Sequence, residues 1–299
     1  MIPDAFSKTR MTNAFTVDVE DYYHVSAFAD HIHSNDWPQY ESRVVNNTRR
    51  LIEILAQHNV CATFFVLGWV AERHPDLIRE IQAGGHEIGS HSYWHRLIYN
   101  LTPDEFREDL RHSCRTLEEI TGERVTSFRA PSFSITKDSM WALDILAEEG
   151  ISLDSSIFPV HHDRYGIPGA ERFANRIETT GGPLWEVPPS VCRLGNWNLP
   201  VGGGGYFRLY PFPLTVQMLD AINRRAGQPF VFYVHPWEID PHQPRLRVSC
   251  RKSRFRHYVK LSSTESKLHR LLSRFQFGPL SSLIPQDGES QSCTLQVAR

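Results

Sequence analysis

The chain has 299 residues, 40% of them hydrophobic, and is long enough to bury the core of one large catalytic domain. Its 32 basic and 34 acidic residues nearly cancel, so the composition gives no overall field that would attract nucleic acid or an anionic membrane. The five cysteines are scattered and form no CxxC pair, which argues against a disulfide framework and against a thiolate zinc site.

Short apolar runs alternate with amphipathic stretches along most of the chain. This alternation is typical of βα units around a parallel sheet and predicts an α/β barrel. The predicted strands, in chain order, are 14–19, 62–67, 87–90, 127–129, 184–187 and 230–234. The predicted helices are 46–58, a stretch that begins at a Thr102 cap, 137–150 with a glycine at its end, and 263–275.

Residues 159–205 are rich in aromatic residues, proline and glycine, and we expect long loops here over the carboxyl-terminal face of the strands. The predicted organisation is an N-terminal extension (1–13), one catalytic domain (14–245), a helical extension (246–285) and a disordered tail (286–299). The sequence shows neither the apolar run of a signal peptide nor a membrane span, so we expect a cytoplasmic protein without a transmembrane segment.

Two histidines follow the third predicted strand, in the string GSHSYWH that ends at His95. His91 and His95 are four residues apart, so in a helical turn both imidazoles would face one point and chelate a metal. Such a pair is weak when taken alone, because surface or core histidines occur at the same spacing.

Three carboxylates, Asp18, Glu20 and Asp21, lie at the end of the first predicted strand. One of them is suited to bind a divalent ion while another takes a proton from water, and a solvated acidic loop is the alternative. Two further strand ends carry Arg129 and His235, at the position where catalytic residues of barrels collect. Taken alone, His235 is more typical of a structural residue, and Arg129 is suited either to keep a carboxylate ionised or to form a salt bridge.

Together these residues resemble the polysaccharide deacetylase family with the NodB homology domain. The resemblance runs from about residue 14 to residue 238 and includes the strings TFFV from Thr63, GHEIGSH from Gly85 and DSSI from Asp154. It implies a single domain with a deformed (β/α)7-type barrel. The strings VDVEDYYH, WEVP, GGGGYF and HPWE are closest to a bacterial subgroup that accompanies exopolysaccharide gene clusters and the exosortase system.

The resemblance also implies roles for the site residues. In that family the first motif supplies the catalytic base and an RxP motif supplies an arginine that orients it, which here correspond to Asp18 and Arg129. The HSxxH motif supplies the two metal histidines, His91 and His95, and a late histidine, here His235, supplies the general acid.

Two residues, Glu20 and Asp21, compete for the role of acidic metal ligand. The family usually has two adjacent aspartates where this chain has Asp18 followed by Val19. Period-two alternation along a strand puts Asp18 and Glu20 on one side and favours Glu20 as the ligand. Asp21 stays the competing candidate.

Aromatic residues in the second half of the chain are candidates for stacking on sugar rings, although most are equally typical of a core. The predicted substrate contacts are Tyr206, Trp185 and Trp237, of which Tyr206 beside four glycines is favoured. The glycine run lacks the lysine of a phosphate loop, so nucleotide binding is not expected. The basic segment 251–256 predicts a solvated face, with an anionic polymer or membrane surface as the alternative.

The resemblance therefore implies a hydrolase that removes N-acetyl groups from amino sugars of a polysaccharide or its precursor, in exopolysaccharide biosynthesis. The implied cofactor is a divalent metal ion, Zn2+ or else Co2+, and the implied partner is an N-acetylated oligo- or polysaccharide. Hydrolysis of another non-peptide C–N bond, as in a cyclic amide or ureide, and non-catalytic glycan binding are the alternative functions.

Overall fold

The computed structural model describes residues 11–162, 164–246 and 251–285. Most of the predicted N-terminal extension and all of the predicted tail 286–299 lie outside the described residues. The strands are β1 Thr12–Val19, β2 Thr63–Val66, β3 Glu87–Ser90, β4 Ser127–Phe128, β5 Leu153–Asp154, β6 Asn175–Thr179, β7 Gly182–Glu186, β8 Val191–Leu194, β9 Trp197–Pro200, β10 Val231–Val234 and β11 Gln276–Gly278.

Seven parallel strands form the barrel, in the order β10-β1-β2-β3-β4-β5-β7. The gap between β7 and β10 is bridged by a segment in which Ser190 and Gly202 hydrogen-bond to the backbone of β10. Gly203, at φ 131°, runs beside Tyr233 so closely that a Cβ atom would overlap the Tyr233 carbonyl. The predicted α/β fold with a deformed (β/α)7-type barrel is confirmed, and the glycine run serves to close it.

The helices cover the outside of the barrel. They are α1 Val44–Gln57, α2 Gly68–Arg73, α3 Pro75–Ala83, α4 Pro103–Thr121, α5 Trp141–Glu148, α6 Gly204–Leu209, α7 Phe212–Ala221, α8 Arg251–Tyr258 and α9 Thr264–Arg274. The predicted cap is present: the Thr102 hydroxyl accepts a hydrogen bond from the Glu105 amide at 3.3 Å, and a proline opens α4. In the described part of the chain, every helix is too short or too polar to cross a membrane.

The region 159–205 differs from the predicted long loops, because it contains three strands, β6, β8 and β9, besides the predicted strand that is β7. β6 pairs antiparallel with β7 at the edge of the sheet, and β8 and β9 form a separate hairpin. Polar and apolar residues mix in β6 and β9, which are half exposed, so the sequence lacks the apolar run by which buried strands are recognised.

The segment after residue 250 contributes to the barrel as well as to its outer layer. After α8 and α9 it forms β11, which pairs in parallel with the beginning of β1, from Thr12 to Ala14. Leu280 then packs into a buried cluster with Ala14, Leu153 and Val231, at the amino-terminal ends of the strands. The carboxyl-terminal ends, at the opposite side, are left to form the site.

Candidate active site and metal centre

The chemically reactive side chains meet at the carboxyl-terminal ends of the strands. Asp18 and Glu20 come from the end of β1, His91 directly follows β3, and Arg129 directly follows β4. His235 follows β10, which pairs with β1, so the last predicted site residue lies next to the first. All five are buried except for the His235 side chain, of which 18% is exposed. The structure thus brings together the strand ends that the sequence singled out.

Three donor atoms converge beside the barrel opening. One atom each of Glu20, His91 and His95 lies within 4.8 Å of the other two. The His91 Nδ1–H donates to the Arg129 carbonyl at 2.7 Å, because a carbonyl oxygen only accepts, and this leaves Nε2 with a free lone pair. Burial and the charge of His95 lower the pKa of His91 to about 4, against the raising effect of Asp18 and Glu20, so the imidazole is neutral at pH 7.

The two histidines are not on a helical turn, as the spacing had suggested, but in a loop with positive φ at Ser92 and His95. The buried carboxylate of Asp109, on α4, holds this loop. It accepts hydrogen bonds from the Ser92 hydroxyl at 2.7 Å and from the amides of Tyr93 and Trp94 at 2.8 and 3.3 Å. An aspartate on the apolar face of an amphipathic helix, three residues after Phe106, was the available sequence signal for this support.

The two competing acidic residues have different surroundings. Asp21 accepts hydrogen bonds from the amides of Tyr22, Arg43 and Val44 and from the Ser42 hydroxyl, all between 2.8 and 3.1 Å. It therefore caps the beginning of α1. Glu20 instead places Oε2 2.6 Å from His95 Nε2, and Asp21 is absent from the converging donor group found in the described residues.

The Glu20–His95 contact is suited to share a cation. It lacks the geometry of a hydrogen bond, and Glu20 Oε2 is buried without a hydrogen-bond donor in the described residues. Burial raises the pKa of Glu20, but the charge and contact of His95 outweigh it and keep the pKa well below the usual range, so the group is a carboxylate. The buried Glu20 oxygen and the two imidazoles together form a donor set that fits a divalent ion such as zinc.

Arg129 holds the neighbouring carboxylate in place. Its Nη1 donates to Asp18 Oδ1 and to Thr16 Oγ1, each at 2.7 Å, while Nη2 donates to the Ser155 hydroxyl at 2.8 Å. The guanidinium is fully buried against the Phe65 ring, with 4.3 Å from Cζ to the ring centroid. Asp18 therefore keeps one oxygen bound and points Oδ2 toward His235 Nε2, 3.8 Å away.

His235 is held from its other side by a carboxylate that the sequence had not singled out as a site residue. The Nδ1 atom lies 3.0 Å from Glu238 Oε2, and Glu238 Oε1 accepts a hydrogen bond from Arg208 Nε at 2.7 Å. Burial lowers the pKa of His235, but the hydrogen bond to Glu238 and the charges of Glu20, Glu238 and Asp18 raise it to about 9. Burial raises the pKa of Glu238, but the charge of Arg208 and the hydrogen bond to His235 outweigh this effect and lower the pKa to about 2. These charges favour the protonated imidazolium of His235.

The predicted substrate contacts have three different positions. The Trp237 indole is 5% exposed, donates to Glu20 Oε1 at 3.1 Å and stacks between the rings of His235 and His257. Trp185, on β7, is partly buried against the cluster of Ala14, Leu153 and Val231, which contains none of the donor residues. Tyr206 lines an open cavity beside the site.

That cavity has a volume of about 320 Å³ and lies next to β10. Tyr233 forms part of its wall, and the Tyr233 ring is 5.7 Å from the His235 ring and 5.9 Å from Arg129 Cζ. The hydroxyls of Tyr165 and Tyr206 lie 3.3 Å apart in the same wall. A ligand in this cavity is therefore separated from the reactive residues by one aromatic ring.

Sequence comparison divides the chain into two parts. Residues 34–150 match the family described as polysaccharide deacetylase, and residues 155–285 match a domain of unknown function, DUF3473. A peptidoglycan-N-acetylglucosamine deacetylase from Bacillus cereus is 30% identical over 120 residues, which are 36% of this chain and 44% of that protein. A chitooligosaccharide deacetylase from Rhizobium leguminosarum bv. trifolii is 33% identical over 143 residues, 46% of this chain and 61% of that protein. The chain thus spans about half the length of these curated relatives.

Solved structures share the fold along nearly the whole chain. A putative polysaccharide deacetylase from Mycobacterium smegmatis superposes with a TM-score of 0.56 at 20% identity, covering 95% of this chain and 96% of that one. An allantoinase, PuuE, superposes with a TM-score of 0.58 at 15% identity, covering 90% and 87%. At these identities the similarity shows the fold alone.

Proposed function

We propose that this chain, whose residues 34–150 match the polysaccharide deacetylase family, removes N-acetyl groups from amino sugars of a polysaccharide or its precursor. The observation that carries the proposal is the convergence of three metal donors, Glu20, His91 and His95, beside a carboxylate and a protonated histidine. Amide hydrolysis needs these three elements: an electrophilic centre, a base for water and an acid for the leaving amine.

The metal site would be formed by Glu20 Oε2, His91 Nε2 and His95 Nε2. When bound there, a divalent ion polarises a carbonyl group and acidifies water, and Zn2+ is the ion that we propose, with Co2+ as a substitute. The indole N–H of Trp237 and the Arg129 carbonyl would orient two of the ligands.

The base in this proposal is Asp18. Arg129 Nη1 donates a hydrogen bond to its Oδ1, so the lone pairs of Oδ2 are available to accept a proton from water. Because Asp18 and Arg129 are both buried and fixed by several hydrogen bonds, the acceptor oxygen has one position.

The acid is His235. Its Nε2 proton faces the region between Asp18 and Glu20, at 3.8 and 3.6 Å from their oxygens, and is the proton that the leaving amine would receive. Glu238 holds Nδ1 and stabilises the imidazolium until the C–N bond breaks. Acetate and a free amino sugar would be the products.

The biological setting follows from the resemblance of the strand-end strings and not from the site. We propose a role in exopolysaccharide biosynthesis, in the subgroup that accompanies the exosortase system. The cytoplasmic location stays a prediction.

The test is acetate release from a panel of N-acetylated oligosaccharides by metal-stripped protein, with and without added Zn2+ or Co2+. Asp18→Asn keeps the size of the side chain and is the matched variant, for which we expect turnover to fall by about 10²- to 10⁴-fold while metal binding persists.

Metal-dependent release that Asp18→Asn abolishes supports the proposal. Tight metal binding without acetate release from any oligosaccharide contradicts it, and a parallel assay with cyclic ureides and a glycan-binding assay then separate the two alternative functions.

A further inference from the structure

The described residues that line the cavity beside the site carry a net positive charge. Of the described residues that line it, none is acidic, whereas two are arginines, Arg164 and Arg256. The whole chain has a formal charge of -2, so the two arginines are a local excess of positive charge among the described lining residues. A volume of about 320 Å³ is within the usual range for ligand pockets, about 300 to 1,000 Å³.

Both arginines have unsatisfied charge. Within the described residues, neither guanidinium has a carboxylate partner, although buried and surface arginines elsewhere, such as Arg129 and Arg49, are paired. Both side chains are exposed, so forming a bond to a ligand would not require burying an isolated charge first. An anion that enters the cavity would meet two guanidinium groups that have no carboxylate partner among the described residues.

The wall between the arginines is aromatic and firmly held. Tyr165 stacks on the His162 ring at 3.9 Å and on the Phe158 ring at 5.7 Å, and its hydroxyl meets that of Tyr206. Phe255, also in the wall, is 61% exposed, although large apolar side chains are usually covered. Exposed aromatic faces next to hydroxyl groups are suited to stack on sugar rings.

The second half of α8 is fixed against the reactive residues, which sets the position of Arg256. The neighbouring His257 is buried, stacks on Trp237 with 4.3 Å between ring centroids, and donates a hydrogen bond from Nε2 to Gln243 Oε1 at 2.7 Å. Because Trp237 contacts Glu20, the cationic wall and the metal donors are joined through two stacked rings.

From these features we propose that the cavity binds an anionic sugar unit, which carries a carboxylate or a phosphate. This unit would be adjacent to the unit from which the N-acetyl group is removed. The inference rests on the proposed deacetylase function and specifies its substrate class. Arg164 and Arg256 would bind the anion, and the ring faces of Tyr206 and Phe255 would contact the sugar.

The experiment compares three substrates with the zinc-loaded protein: a neutral chitin tetrasaccharide, a hyaluronan tetrasaccharide that carries carboxylates, and UDP-N-acetylglucosamine that carries phosphates. We expect kcat/KM for acetate release to be at least about tenfold higher for an acidic substrate than for the neutral one, since a hydrogen bond to a charged group contributes this much. The hyaluronan and nucleotide arms distinguish a carboxylate from a phosphate.

Arg164→Gln and Arg256→Gln should each lower kcat/KM for the preferred acidic substrate about tenfold. The value of kcat/KM for the neutral substrate should stay the same. Arg254→Gln is the matched control, because Arg254 is exposed on the same helix but does not line the cavity, and it should change neither value. All three side chains are exposed, and circular dichroism verifies that the variants fold.

Equal turnover of neutral and acidic substrates, unaffected by the substitutions, would overturn the anionic-sugar proposal and leave the deacetylase proposal standing. Calorimetric titration with the acidic tetrasaccharide covers the opposite case. Binding that Arg256→Gln abolishes, without acetate release from any substrate, would support the anion site and contradict the deacetylase activity.

Discussion

The two halves of the chain contribute to the site in different ways. In the part that ends at Arg129, the functional residues lie at or soon after the carboxyl-terminal end of a strand, as Asp18 and His91 do. In the part after residue 155, the contributions come from segments far apart in sequence: Arg208 from α6, Glu238 after β10, and His257 from α8. The reactive groups are therefore encoded by local strings. The residues that shift their pKa values, and the wall of the adjacent cavity, depend instead on tertiary contacts.

The largest effect should come from separating the two acidic candidates of the first half. We expect Glu20→Gln to weaken zinc binding by more than the roughly 10- to 100-fold typical of losing an outer-shell partner. Asp21→Asn should keep zinc affinity and instead lower the free energy of unfolding by about 1 to 2 kcal/mol, because it weakens the cap of α1. Zinc affinity by chelator competition and urea unfolding measure the two effects.

The reverse pattern, with zinc lost in Asp21→Asn and kept in Glu20→Gln, would contradict the assignment of ligands. It would also remove the distinction between a metal-binding carboxylate and a structural one at the end of β1.

A smaller effect is expected from the second half, at the indole that contacts Glu20. Trp237→Phe keeps the stacking with His235 and His257 but removes the N–H that donates to Glu20 Oε1. Zinc affinity should fall about 10- to 100-fold, with the fold retained.

Trp185→Phe is the control for this change, because Trp185 packs against the cluster of Ala14, Leu153 and Val231, which contains no donor residue. Equal zinc affinities for the two variants and the wild type would show that the second half does not influence the metal centre through this contact.

The smallest effect concerns the junction of the halves, where β5 pairs with β7. Asp154 and Glu186 are fully buried there, and neither Asp154 Oδ2 nor Glu186 Oε2 has another hydrogen-bond partner in the described residues. Burial and the charge of Asp154 raise the pKa of Glu186 well above its usual range, so the pair holds a proton in the native state.

Because the unfolded chain releases this proton above the ordinary Glu pKa of 4.5, the native state binds more protons and its stability falls as pH rises above that value. Glu186→Gln removes the titration and keeps a donor toward Asp154. Relative to this variant, the wild type should lose about 1 to 2 kcal/mol of unfolding free energy between pH 5 and pH 8. Glu178→Gln, at an exposed site on β6, should show no such pH dependence in urea unfolding.

Much of the fold and the reactive part of the site were predictable from sequence. The strands β1, β2 and β10 were recognised because they are buried on both faces and rich in apolar residues, and polar residues at their ends stand out. Asp18, Glu20, His91, His95, Arg129 and His235 were all named on that basis and lie together.

The residues that support the site were not predictable by the same reasoning. Asp109 lies on a helix and reaches a loop in another part of the chain, and Arg208 meets Glu238 across 30 residues. Period and spacing describe neighbours along one element, so they carry no information on such pairs. The loop conformation of His95 was missed for a related reason: the loop that carries it is held by hydrogen bonds to Asp109, a residue of another element.

The pairing of β11 with β1 bears on how the protein is made. Thr12 to Ala14 find their partners in Gln276 to Gly278, some 264 residues later. At roughly 5–20 residues per second, translation takes on the order of 10 to 60 s to supply them, and during that interval the amino-terminal half of one edge of β1 has no strand beside it. A messenger truncated before codon 276 would make that open edge permanent, and with it a template for pairing between nascent chains.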